Sequence, residues 1–164
     1  MSLYPLPDEI KLSDFSGDWT SYKEAVYRAF CDEVVDKLSF LGLPIKCRYF
    51  QPIDGMHRTF WHLITTDRGQ SNNDEEREVD MRRCEKIRWI SHIIRHSDSV
   101  DIKCWENKRG SNTNIILWLE NENYMIVLSK RKDYYLLITA YTHGNGTKKR
   151  NTIESQANSD PRNS

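Results

Sequence analysis

At 164 residues, with 38% apolar and 11% aromatic side chains, the chain can bury one good hydrophobic core and is expected to be a single domain. Its 24 Lys and Arg balance its 24 Asp and Glu, so no global field announces a nucleic-acid partner, although a local basic patch would be enough. Cys31, Cys47, Cys84 and Cys104 are widely spaced with no CxxC pair, and there is no signal-peptide core or apolar run of membrane-spanning length. The expectation is a soluble, cytoplasmic protein with reduced thiols and no membrane association.

In chain order, residues 1–18 hold Pro5, Pro7 and Gly17 and show no sustained period, which predicts a surface arm. The single domain then spans 19–142. Ser21 with Glu24 is a capping-box pattern, and Val26, Tyr27, Phe30, Val34, Val35 and Leu38 recur at helical spacing. This helix is expected to stop near Gly42, with Pro44 just beyond. Ile45 to Phe50 and Thr59 to Thr66 read as two strands of a hairpin, joined through Pro52-Ile53-Asp54-Gly55. Asp74 to His96 reads as one strong helix, acidic in its first turn and basic in its last, with Val79, Ile87, Ile90 and Ile94 on its apolar line.

A strand near Ile102 to Trp105 precedes a loop at Lys108 to Thr113. Asn114 to Tyr141 then reads as three apolar runs with polar breaks at Asn121–Asn123 and Lys130–Asp133, the signature of a strand meander. In its last run, period two places Leu136, Ile138 and Ala140 on one face, and Tyr135, Leu137, Thr139 and Tyr141 on the other. Residues 143–164 turn to Thr, Gly, Asn, Ser and Lys, which predicts a flexible basic and polar tail. The fold class expected is α+β: a mainly antiparallel sheet, made of the hairpin and the C-terminal meander, with two main helices packed on one face and the other face open.

Several residues could carry chemistry. His62 can take or give a proton near neutral pH, although a histidine hydrogen-bonded within a sheet is the plainer alternative. His57, in the turn before it, is a secondary candidate. Arg83 falls between Val79 and Ile87 in the apolar line of its helix, where a permanent charge must be paired or face a wet site. Either its fork reaches an anion or its stem snorkels to solvent. Arg82 and Arg88 lie off that line. Thr139 and Tyr141 could bond a phosphate or a ribose, and Tyr135 could stack on a base, although all three types favour strands anyway. Lys130, Arg131 and Lys132 form a basic hairpin tip, and Lys148, Lys149 and Arg150 follow the same sheet's last strand. His92 and His96 have metal-ligand spacing without a third ligand or an HExxH pattern, so neither metal nor cofactor is expected.

The FWHLIT stretch, the RRCEKIRWISHII helix and the meander ending in YYLLITAY with a basic stretch after it resemble the phage-associated branch of the barnase–EndoU–colicin–RelE-like ribonuclease superfamily. The likeness covers roughly Cys47 to Arg150. It implies a small, metal-independent endoribonuclease of toxin type that cleaves tRNA or rRNA and is restrained by an inhibitor protein. Carried over, the strand histidine falls on His62, the helix arginine on Arg83, with Arg88 as an alternative, and the terminal hydroxyls on Thr139 and Tyr141. Lys130, Arg131, Lys132, Tyr135 and Lys148 would bind RNA, and His57, His143 or Tyr141 would serve as a second acid or base. The competing class is a non-enzymatic RNA- or protein-binding module, such as an immunity, antitoxin or adaptor protein, or else a structural assembly component.

Overall fold

The computed structural model describes residues 2–67, 77–142 and 160–163. Helix α1 (Trp19–Glu33) buries Val26 and Phe30 of the expected stripe together with Tyr22, one turn earlier, and leaves Tyr27 half-buried. It ends well short of Gly42. The N–H groups of Val34 and Val35 both bond to the Phe30 carbonyl, and Asp36 turns into the left-handed region at φ 58°, which helices use to stop. Gly42 (φ 83°) instead forms a tight turn with Leu41 (φ 50°) between strands β1 (Ser39–Phe40) and β2 (Leu43–Lys46). Positive φ at both central residues is what a two-residue hairpin requires.

The expected second strand of the first hairpin is a helix, α2 (Arg58–Ile64). Thr59, Phe60, Leu63 and Ile64 are buried while Trp61 and His62 are half-buried, a helical rather than alternating pattern. A run this short fits either period, and packing decides it. Phe60 lies 4.9 Å from Tyr27 and 5.5 Å from Phe30, ring to ring, on α1. The β-branched Thr65 and Thr66 then switch to strand β3 (Thr65–Thr66), paired antiparallel with β4 (Glu78–Val79).

The single helix expected over 74–96 is also interrupted. Val79 is in β4, and helix α3 (Met81–Glu85) is separated from α4 (Ile87–Arg95) by Lys86, at φ −99° and ψ 17°. The N-terminal arm docks at this break. The Ile10 N–H bonds to the Glu85 carbonyl at 3.0 Å, and Lys86 pairs with Glu9 at 3.4 Å. Further along, Trp89 donates to the Pro7 carbonyl and a ring nitrogen of His92 bonds to that of Leu3, which is buried. The arm therefore satisfies groups that the helical ladder leaves open.

The three runs of the meander are strands, but the loop expected from Lys108 to Thr113 is mostly paired strand, Lys108 opposite Thr113 and Arg109 opposite Asn112, because the two strands extend to a tight turn. Strands β5 (Ile102–Arg109), β6 (Asn112–Leu119), β7 (Tyr124–Lys130) and β8 (Tyr135–Thr142) pair antiparallel in succession, and β2 joins parallel to β8, giving the order β1-β2-β8-β7-β6-β5. The fold is α+β, a mostly antiparallel six-stranded sheet with helices packed on it. The main core lies between the helices and one sheet face, with Ile87, Ile90 and Ile94 opposite Ile115, Leu117, Ile126 and Leu128.

The other face, expected to be open, carries a second apolar cluster of Trp105, Ile116, Trp118, Met125 and Val127, all buried. A bulge in β8 controls which side chains reach which face. Val127 pairs with Thr139 but Leu128 pairs with Leu137, leaving Ile138 as the extra residue. Tyr135, Leu137 and Ala140 therefore join the main core together, contrary to strict alternation, while Ile138 and Tyr141 pack on the second cluster.

Candidate functional site

Among the described residues, β2 pairs with β8 only through Ile45–Tyr135 and Lys46–Leu136, and the second half of β8 has no strand partner on that side. Helix α2 packs along it. The chain leaving β2 also bonds to the first turn of α2: the Arg48 N–H donates to Thr59 Oγ1 at 2.7 Å, Thr59 N–H to the Arg48 carbonyl, and Arg58 N–H to that of Tyr49. Arg48, Arg58, Thr59 and His62 thereby come together over Leu136–Ile138 of β8, around a recess of about 100 Å³. Its lining thus combines two arginines, a threonine and a histidine with an aliphatic floor at the bulge, and one Nη of Arg58 is held by the Gln51 carbonyl at 2.9 Å. Such a donor set suits a phosphate. The recess is too small for a whole nucleotide, since sites for molecules of that size run to roughly 300 Å³ or more.

Arg83, on α3, reaches a different part of α2. It does not line the recess. One Nη donates to the Thr65 carbonyl at 2.6 Å and lies 3.3 Å from the His62 carbonyl and 3.4 Å from Thr139 Oγ1. Its Nε is 3.7 Å from Asp80, and its guanidinium lies 5.2 Å from the Tyr141 ring. Arg83, Thr139 and Tyr141 thus lie together around the C-terminal end of α2. Thr65 donates its hydroxyl to the Trp61 carbonyl, Asp80 N–H bonds to Ile64, and Arg77 also reaches Thr65, so this end is densely capped. A cation there matches the helix dipole. Burial pushes the Arg83 pKa down and Asp80 opposes the shift; an arginine so placed stays charged.

His57 lies just before α2, its Nδ1 2.8 Å from the Tyr27 hydroxyl and its ring stacked on Tyr49 at 4.9 Å. Burial lowers its pKa, with Asp36 opposing, which leaves it neutral at pH 7. It does not line the recess either. Tyr135, the candidate for stacking on a base, is buried in the main core and packs edge-on against Phe40 at 5.3 Å, out of a ligand's reach. Arg88 pairs with Glu33 at 3.4 Å. Lys130, Arg131 and Lys132 are exposed at the β7–β8 connection, with Lys130 3.9 Å from Glu106. His143 and Lys148 lie outside the described residues.

A larger groove, of about 430 Å³, runs between α1 and the turn at Asp54, but its Lys23 and Asp54 already neutralise one another at 3.0 Å. Among the described residues, no group of three His, Cys, Asp or Glu could hold a metal ion, and no helix is long and apolar enough to cross a membrane. The residues that sequence reasoning passed over are Arg48 and Arg58. The signal was present in RYFQPIDGMHR, where basic and aromatic residues interleave around a turn.

Fold and recess together describe an α+β protein in which two arginines, a threonine and a histidine line a small recess beside β8. Comparisons with family models, with curated proteins and with solved structures found no match to the chain.

Proposed function

We propose that the protein is a metal-independent endoribonuclease of toxin type, acting on tRNA or rRNA at the His62 recess. The observation that carries this reading is the convergence of His62 with Arg48, Arg58 and Thr59 around a phosphate-sized space. RNA brings its own nucleophile, so the chemistry asks little of the protein. His62 takes the proton of the ribose 2′-hydroxyl, the oxygen attacks the adjacent phosphorus, and the bond to the 5′-oxygen breaks. Arg48 and Arg58 balance the charge that grows on the phosphorane oxygens, the role first considered for Arg83. Water protonates the departing 5′-oxygen. The products are a 2′,3′-cyclic phosphate and a 5′-hydroxyl end. The partner such an activity calls for is an inhibitor protein that covers the recess.

A non-enzymatic RNA- or protein-binding module is the second reading. It is favoured by the commitment of Arg83 to backbone carbonyls and by His62 being the one imidazole, with no carboxylate beside it, among the residues lining the recess.

The test is incubation of the full chain with total tRNA and with ribosomes in excess EDTA. Wild type should yield discrete fragments ending in cyclic phosphate. His62→Ala should slow cleavage by about 100-fold or more, the usual worth of a positioned acid or base, while remaining folded. Absence of fragments from wild type leaves the binding module as the reading, and full cleavage by His62→Ala takes the reaction away from the His62 recess.

A further inference from the structure

Beside the recess, the surface exposes an aromatic side chain that the core does not use. Phe50 is 77% exposed, more than any other aromatic among the described residues, and its neighbour Tyr49 is 47% exposed. Both directly follow Arg48, which lines the recess. Their loop is tied down rather than loose. An Nη of Arg58 donates to the Gln51 carbonyl at 2.9 Å, the Tyr49 ring stacks on His57, and the Tyr49 carbonyl accepts from Arg58. The backbone that carries Phe50 is thus held between Arg48 and Arg58, the two arginines that line the recess, and its ring stands out into solvent.

Cations and rings continue along the same edge. Lys46, two residues before Arg48 on the extended chain, holds its ammonium 5.0 Å from the centre of the Tyr134 ring. Arg131 and Lys132 follow at the connection that leads into β8, both exposed.

We infer that Phe50 is a base-stacking platform and that the ligand of this edge is single-stranded RNA. One phosphate occupies the recess while the base of an adjoining nucleotide lies on Phe50. This rests on the RNA reading above and deepens it by naming the form of the substrate. Because the recess holds a phosphate but not a nucleotide, the base has to lie outside it, where the exposed ring is. Duplex RNA keeps its bases stacked on one another in a groove that side chains do not enter, so it offers nothing to Phe50. A purely apolar protein segment would use the ring but leave the row of cations unmatched. A strand of phosphates and splayed bases uses both.

The experiment is fluorescence anisotropy at low salt with the full chain and a short RNA, 2′-O-methylated throughout so that it cannot be cleaved, offered single-stranded or as a duplex. Phe50→Ala should weaken single-strand binding about tenfold, the scale of one stacked base, and leave duplex binding unchanged. Phe50→Trp should restore it and Phe50→Leu should not. If Phe50→Ala or Phe50→Leu binds the single strand as wild type does, while Arg48→Ala still weakens it, the stacking role is overturned and the phosphate recess stands. If wild type binds neither RNA at low salt, the RNA reading of the recess falls, and the stacking role of Phe50 falls with it.

Discussion

Arg83 shows what one buried charge can do in this molecule. Its guanidinium reaches the carbonyls of His62 and Thr65 and the hydroxyl of Thr139, so it ties the end of α2 to α3 and to β8. Removing it strands polar groups that have little access to water. Arg83→Ala should therefore lower stability by about 2–4 kcal/mol, the cost of breaking a buried polar network, with Arg83→Lys intermediate because an ammonium cannot reproduce the fork. Urea unfolding midpoints would measure this. A wild-type midpoint in Arg83→Ala, with catalysis lost, would return Arg83 to the reacting centre. The sequence marked this residue correctly as an anomaly in an apolar line. What it could not supply was the partner, because backbone carbonyls carry no residue identity.

At the scale of elements, α2 is the decisive piece, since its helical form sets where His62 points. A strand would put Phe60 with His62 and Ile64 on one face and Leu63 on the other. The helix buries Phe60, Leu63 and Ile64 together and leaves His62 half-buried at the recess. Phe60→Ala and Leu63→Ala should consequently each cost about 2–5 kcal/mol, as core truncations do, whereas His62→Ala should cost less than about 1 kcal/mol. Thermal or denaturant unfolding of the three variants checks the register. A cheap Leu63→Ala beside a costly His62→Ala would favour the strand. The long helix that becomes α3 and α4 illustrates the same limit. Its apolar spacing is legible across Lys86, but the break depends on Ile10 and Glu9 arriving from a distant part of the chain.

For the whole molecule, the sheet and its two apolar faces dominate. Cys84 lies in the helical layer and Cys104 in β5, both buried, and burial pushes each thiol, like that of Cys47, up to about 12. At pH 8 the thiolate fraction of such a group is about one in ten thousand. Titration of the native protein with a thiol reagent at that pH should leave these three unmodified until denaturant is added. Prompt reaction of Cys84 or Cys104 would mean that the helical layer opens from the sheet far more readily than its packing implies.

The sequence by itself determined the elements whose signal is local and repeated. These are the Val26 and Phe30 face of α1, the three runs of the meander with their polar breaks, and an α+β class. Each follows from side-chain periodicity within one segment, which no distant contact has to supply. The tertiary structure alone decided the helical form of residues 58–64, the bulge at Ile138 that sends Tyr135 inward, and the meeting of Arg48 and Arg58 with His62. Those outcomes come from packing between segments far apart in the chain, where a short run compatible with two periods takes whichever one buries its apolar face.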